Sequence, residues 1–206
     1  MAPDLTRLRP AAPEDCPFLV WGLDEAADGL FTTMFGARSS TILGQVMTQP
    51  GHTYSYEHAT VAEVDGQVRG FCQGWPQGTP SGDGALLRAA GIRAARAAAV
   101  NLLGWPALAT LDRHAPGEWY LQAIAVHPAA RGTGVGRALF ADAVTRARSA
   151  GCSALTLDVD TANTRARALD QRLGMVVEST SARAVLLGGT RVHRMSAPLA
   201  GLPPTA

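Results

Sequence analysis

Apolar residues along this chain switch between helical and strand spacing, and the switches mark its elements. Leu5 to Arg9 reads as a short strand, and Pro13-Glu14-Asp15 opens a helix with Phe18, Leu19 and Leu23 on one side. From Ala26 to Met47 the spacing of Leu30, Phe31, Met34 and Phe35 predicts helix in parts, ended by Pro50-Gly51. Tyr54 to Val64 alternates and is rich in β-formers. Asp65-Gly66 is a two-residue turn signal, and Gln67 to Trp75 returns as the second arm of a hairpin. Beyond a Gly/Pro-rich loop at Pro76 to Gly84, Ala85 to Leu103 has helical composition and closes at Gly104 and Pro106.

The second half repeats the alternation. Trp119 to Val126 predicts a strand, and Gly136 to Ala150 a helix that buries Leu139, Phe140, Ala143, Val144 and Ala147, with Gly151 as its stop. Ala154 to Val159 is another strand. Asn163 caps a helix from Thr164 to Leu173, ended by Gly174. Val176 to Val185 and Arg191 to Ala197 follow as strands joined through Gly188-Gly189. The strand–helix–strand unit implies a right-handed crossover between parallel strands, while the hairpins imply antiparallel pairing, so the sheet is mixed. There is no internal repeat and no linker. The 206 residues therefore read as one domain: 1–53 an N-terminal strand and helices, 76–117 a helical insertion, 118–175 a core, 176–200 C-terminal strands.

Composition narrows the class. The net charge is +1, which gives no broad attraction to nucleic acid or anionic lipid. All 18 basic residues are arginine, a bias typical of GC-rich bacterial coding. Cys16, Cys72 and Cys152 form no pair of metal or redox spacing and read as free thiols in a reducing compartment. The N-terminus lacks a basic region followed by an apolar run, and the most apolar window, Ala97 to Leu111, is interrupted by Asn101, Gly104 and Pro106. The expectation is a cytoplasmic protein without membrane or nucleic-acid partners. Ala85 to Leu103 is apolar on more than one side, which leaves a homodimer open.

The candidate chemistry lies between the strand ending at Val126 and the helix opening at Gly136. Here Arg131-Gly132-Thr133-Gly134-Val135-Gly136-Arg137 combines small residues with the unpaired N–H groups of a helix entrance, a pattern suited to a diphosphate. A P-loop is excluded because the chain has no lysine, and a dinucleotide fingerprint fails because Arg137 stands where its third glycine belongs. What remains is Arg131-x-x-Gly134-x-Gly136. With the preceding Ala125-Val126-His127-Pro128, and with Asn163-x-x-Ala166-x-x-Leu169 and Leu173-Gly174-Met175 farther on, the stretch from Glu118 to Met175 resembles the Gcn5-related N-acetyltransferase (GNAT) family.

The resemblance implies an α/β fold with a mixed, centrally splayed β-sheet flanked by helices, acetyl-CoA as cosubstrate, an amine as acceptor and no metal. It implies that the N–H groups of Gly132, Thr133, Gly134, Val135, Gly136 and Arg137 hold the diphosphate, with Arg131 adding charge or facing solvent. Backbone of Ile124, Ala125 and Val126 would pair with the pantetheine arm. Asn163 would bond that arm or act as a plain helix cap. Glu118 stands where several family members hold a general base, and its other reading is an exposed strand-end carboxylate. Tyr120 and Gln122 share its face of the strand. Where many members carry a tyrosine that protonates the departing thiolate, this chain has Asp170, which is ionised at neutral pH unless burial raises its pKa. Tyr54, Tyr56 and Tyr120 are alternative hydroxyls. The same departure supports a second reading, a non-catalytic acyl-CoA-binding or regulatory module. Residues 26–56 and 76–117 lie where the family commonly builds its acceptor groove, the second as a lid, a groove wall or a dimer contact; Asp24, Glu25, Asp28 and Glu57 attract a cationic amine or are ordinary surface.

Overall fold

The computed structural model describes residues 6–99, 115–182 and 191–202. The architecture is mixed α/β, with an open sheet flanked by helices. Described residues of Met1–Trp75, Thr79–Ala94 and Gln122–Ala143 form one compact unit, and those of Pro76–Gly78, Ala95–Leu121 and Val144–Ala206 form another.

In the first unit β1 (Arg7–Pro10), β2 (Ala59–Val64) and β3 (Gln67–Pro76) pair antiparallel, with registers such as Leu8↔Ala62 and Thr60↔Cys72. Next to β3 comes β4 (Glu118–Val126), whose carboxyl half belongs to this unit. The hairpin turn has Asp65 at φ 52° and Gly66 at φ 73°, the paired left-handed conformation that favours this dipeptide. Four helices accompany these strands: α1 (Cys16–Ala26), α2 (Leu30–Phe35), α3 (Ser39–Met47) and α4 (Asp83–Ala90). Leu19 and Leu23 of α1, and Leu43, Val46 and Met47 of α3, recur at helical spacing and are fully buried with Phe71. A Cβ on Gly22 would fall 2.3 Å from Phe71 Cε1, so glycine is what lets α1 lie against β3.

The second unit holds the amino half of β4 beside β5 (Ala154–Asp160), then β7 (Val192–Pro198) and β6 (Val176–Thr180) at the edge. The β4–β5 ladder is parallel and runs from Glu118↔Ala154 to Leu121↔Leu157, where it stops; β5 continues against β7 to Asp160↔Val192. Between β4 and β5 the chain forms α5 (Val135–Ser149), which buries the apolar face expected for it. The helix α6 (Thr164–Arg172) leads to β6.

Several boundaries differ from the sequence expectation. Tyr54 to His58 is not strand: Ser55 Oγ accepts from Glu57 N–H at 3.2 Å and starts a 3-10 turn over Tyr56–His58, so β2 begins at Ala59. The helix expected over Ala85 to Leu103 stops at Ala90, because Gly91 adopts φ 54°; residues 94–99 are helical again, and 100–103 lie outside the described residues. The run Ala26 to Met47 is cut at Gly29 and Gly36, both at positive φ. β6 ends at Thr180, and residues 183–185 of its expected span lie outside the described residues, as does Leu5 of the first strand. No described helix is long and apolar enough to cross a membrane.

Strand β1 is pinned by charge. Arg9 donates to both oxygens of Asp15 at 2.6 and 3.0 Å and to Glu63 on β2 at 2.7 Å, while Ala12 N–H donates to Asp15 at 2.8 Å. Arg9 holds the nearly buried Asp15 carboxyl below its ordinary pKa, against the opposing effect of burial. A carboxyl depressed in the folded state stabilises above its unfolded pKa and loses that contribution as pH falls through the folded value. Asp15→Asn is therefore expected to cost about 1–3 kcal/mol at pH 7 and much less near pH 3, read by urea unfolding at both pH values.

Candidate functional site

The glycine loop follows from how β4 ends. His127 N–H donates to Arg69 O at 2.7 Å, and Pro128–Ala130 turn as a 3-10 helix on which His127 Nδ1 accepts from Ala129 N–H at 3.3 Å. Thr133 Oγ1 donates to Ala130 O at 2.8 Å and closes the loop. Gly132 and Gly134 stand at φ 83° and 96°, a region costly for any side-chain-bearing residue. The first ordinary helical bond of the entrance is Ala138 N–H to Gly134 O at 3.0 Å. Among the described residues, nothing accepts from the N–H groups of Gly132, Thr133, Gly134, Val135, Gly136 or Arg137. Residues 131–134 and Arg137 are exposed, and Val135 is buried.

Arg131 is exposed but has two protein partners. Its Nε donates to Val126 O at 3.1 Å and its Nη2 to Glu25 Oε1 on α1 at 3.0 Å. Glu25 is also part of the wall of an open cavity of about 670 Å³, with Trp21, Asp24, Asp28, Thr32 and Ser39. The carboxylate of Asp24 is tied down by Thr32, whose N–H and Oγ1 donate to it at 3.1 and 2.6 Å. A second hollow of about 460 Å³ shares Pro17, Trp21 and Glu25 with the first and reaches His127 and Pro128.

Burial alternates residue by residue along β4, with Trp119, Leu121, Ala123 and Ala125 buried and their neighbours half-buried. Glu118, Tyr120, Gln122, Ile124 and Val126 thus share the more open face. Glu118 Oε2 accepts from Ala115 N–H at 2.9 Å. The guanidinium of Arg194 lies over the Tyr120 ring, 5.7 Å from its centroid. Arg194 is paired through two bonds of 2.8 Å to Asp158, its ladder partner across β5 and β7, and both side chains are almost fully buried. Burial acts to lower the pKa of Arg194, but the hydrogen bonds and charge of Asp158, with smaller help from Tyr120 and Glu118, hold it above its ordinary value. Sequence reasoning missed this pair. A charged residue inside each of two apolar strands was the available signal.

Asn163 Oδ1 accepts from Ala166 N–H at 3.0 Å, so its helix-cap role is present in the folded chain. Asp170 is partly buried, and burial raises its pKa to about 6. At that value roughly a tenth of the carboxyl is protonated at pH 7. Cys16, Cys72 and Cys152 form no disulfide; Cys16 and Cys72 are buried, and burial raises the pKa of Cys16 and Cys152 above the ordinary thiol value. No group of three or more metal-ligating side chains occurs among the described residues. Trp75 and Trp119 are buried, and Trp105 lies outside the described residues.

A strand that ends in a glycine loop at a helix entrance, within a mixed open sheet, defines a class. The chain belongs to the Acetyltransferase (GNAT) family, whose sequence profile matches residues 25–175. Solved structures show the same fold. A crystal structure of an acetyltransferase has 22% identity and a TM-score of 0.65, covering 94% of this chain and 99% of its own. A GCN5-related N-acetyltransferase from Kribbella flavida has 22% identity and a TM-score of 0.58, covering 94% and 97%. An N-acetyltransferase from Staphylococcus aureus has 15% identity and a TM-score of 0.62, covering 93% and 100%. Among curated proteins none matches.

Asp170 provides a test of the local electrostatics. A carboxyl raised in the folded state binds its proton more tightly there, so stability falls as pH rises from about 4 to about 6. Asp170→Asn is expected to stabilise the protein at pH 7.5, by at most about 3 kcal/mol, and to be neutral at pH 4. Chemical unfolding at the two pH values reads the difference.

Proposed function

We propose that this chain is an N-acetyltransferase that moves an acetyl group from acetyl-CoA directly to an amine, with both substrates bound together. One observation carries the reading: six consecutive N–H groups, Gly132 to Arg137, have no acceptor among the described residues and stand at the mouth of a 15-residue helix. Gly136 adds support. It is not at positive φ, and a Cβ there would meet Val126 Cγ2 only at 3.6 Å, an ordinary contact. Nothing among the described residues requires glycine at this helical position, where it costs ~1 kcal/mol against alanine. Close approach of a ligand to the backbone accounts for it.

Acetyl-CoA supplies an activated thioester when bound. The chain's own contributions are separate from that. The N–H groups of Gly132 to Arg137 would hold the diphosphate, assisted by the positive end of the α5 dipole and by Arg131. Backbone of Ile124, Ala125 and Val126, beyond the last β4–β5 ladder pair at Leu121↔Leu157, would bond the pantetheine amides as a strand does. The same stretch would present an N–H to the thioester carbonyl. Glu118 would take a proton from the acceptor ammonium, directly or through water, because an alkylammonium with a pKa of about 10 is nearly all protonated at pH 7. Tyr120 would line the acceptor position next to it. Gln122, two residues on, has a buried Oε1 without a hydrogen-bond donor among the described residues and suits an amine N–H. Asn163 would reach the cofactor arm only by giving up its cap bond to Ala166. Asp170, mostly ionised at neutral pH, is no proton donor to a thiolate, so the thiolate would depart unprotonated or be met by a tyrosine. The acidic cavity beside Trp21 fits a cationic acceptor.

Asp170 also favours a second reading, an acyl-CoA-binding module without turnover. Release of CoA thiol across a panel of amines, peptides and aminoglycosides separates the two, since the module binds acetyl-CoA and releases none. Gly134→Glu is expected to reduce acetyl-CoA affinity at least a hundredfold in calorimetry while the far-ultraviolet spectrum stays native; unchanged affinity removes the loop from the reading. Glu118→Gln is expected to lower turnover about ten- to a hundredfold below pH 8, with recovery at higher pH as the amine loses its proton unaided. A wild-type pH–rate profile in that variant takes Glu118 out of the chemistry.

A further inference from the structure

Glu25 stands where two hollows meet. It lines the acidic cavity with Asp24 and Asp28, and also the smaller hollow that reaches His127 and Pro128 at the entry to the glycine loop. Its carboxylate accepts from Arg131 Nη2 at 3.0 Å, while the same guanidinium spends its Nε on Val126 O at 3.1 Å. Both side chains of the pair are open to water, 43% for Arg131 and 50% for Glu25. Such a pair is weak and exchangeable. Arg131 immediately precedes Gly132 to Arg137, whose N–H groups have no acceptor among the described residues.

We infer that Glu25 is a built-in competitor for Arg131. It holds the guanidinium while the loop is empty and yields it to the diphosphate of acetyl-CoA, which carries more than one negative charge against the single charge of a carboxylate. The released carboxylate then belongs to the acidic cavity alone. Glu25 thereby lowers the affinity of the loop for its ligand and links the state of the loop to the charge of the cavity. This inference rests on the acyl-CoA reading of the glycine loop.

The test is a double-mutant cycle on acetyl-CoA affinity by calorimetry, with wild type, Glu25→Gln, Arg131→Gln and the double variant. All the substituted side chains are exposed, so the fold is retained. Glu25→Gln is expected to bind acetyl-CoA about two- to fivefold tighter at low salt, the range that exposed ion pairs produce, and to lose that advantage near 0.5 M NaCl. Arg131→Gln binds more weakly, and adding Glu25→Gln to it changes nothing further. Equal or weaker binding by Glu25→Gln overturns the inference, because Glu25 would then hold Arg131 in place for the ligand. An equal gain in the Arg131→Gln background overturns it too, since the carboxylate would then act by simple repulsion of the phosphates. Absence of acetyl-CoA binding by the wild type is a different failure: it removes the acyl-CoA reading, and this inference falls with it.

Discussion

The first turn of an α-helix has backbone donors that its own ladder cannot satisfy, and the function proposed for this protein is organised around one such turn. Strand β4 delivers the chain to the entrance of α5, and two residues at positive φ bend the backbone there. What results is a row of N–H groups held open by covalent geometry rather than by a charged side chain. The glycines are part of that geometry. Each removes a Cβ that would stand between the backbone and an incoming group.

Each unit handles its charged pairs in its own way. In the second unit the side chains of Arg194 and Asp158 are buried and matched by two bonds of 2.8 Å, with the Arg194 guanidinium over the Tyr120 ring, which makes them a fixed part of the sheet. Removing one partner would strand the other charge away from water, so the pair tolerates no single substitution cheaply. In the first unit Arg131 and Glu25 are exposed, and their bond is exchangeable. One arginine supports a ring that lines the proposed acceptor position, and the other is available to respond to a ligand. Burial alone distinguishes their roles.

Much of this was legible in the sequence where the signal is local. The Asp65-Gly66 turn, the buried stripe of α5, the Asn163 cap and the glycine loop each depend on a few neighbouring residues. Failures came where a side chain redirected the backbone or where partners lie far apart. Ser55 diverted a β-rich run into a 3-10 turn by accepting from Glu57 N–H, which competes with a strand ladder. Gly91 at φ 54° ended a helix whose composition gave no sign of stopping. Asp158 meets Arg194 only through the β5–β7 register, and Glu25 is 106 residues from Arg131. Periodicity says which face a residue occupies and nothing about which distant residue shares it. Asp170 was recognisable as unusual by position, but its proton affinity depends on burial that no single sequence discloses.

The choice of cation has a consequence for the protein itself. Arg9, Arg131 and Arg194 do their structural work as guanidinium groups, and the sequence holds no lysine anywhere. A guanidinium stays charged under all ordinary conditions and is a poor nucleophile. Under the proposed amine-acylating function, the protein therefore offers its own chemistry no ε-amino group to consume. Its ion pairs are immune to the acetylation that would neutralise lysines in the same positions.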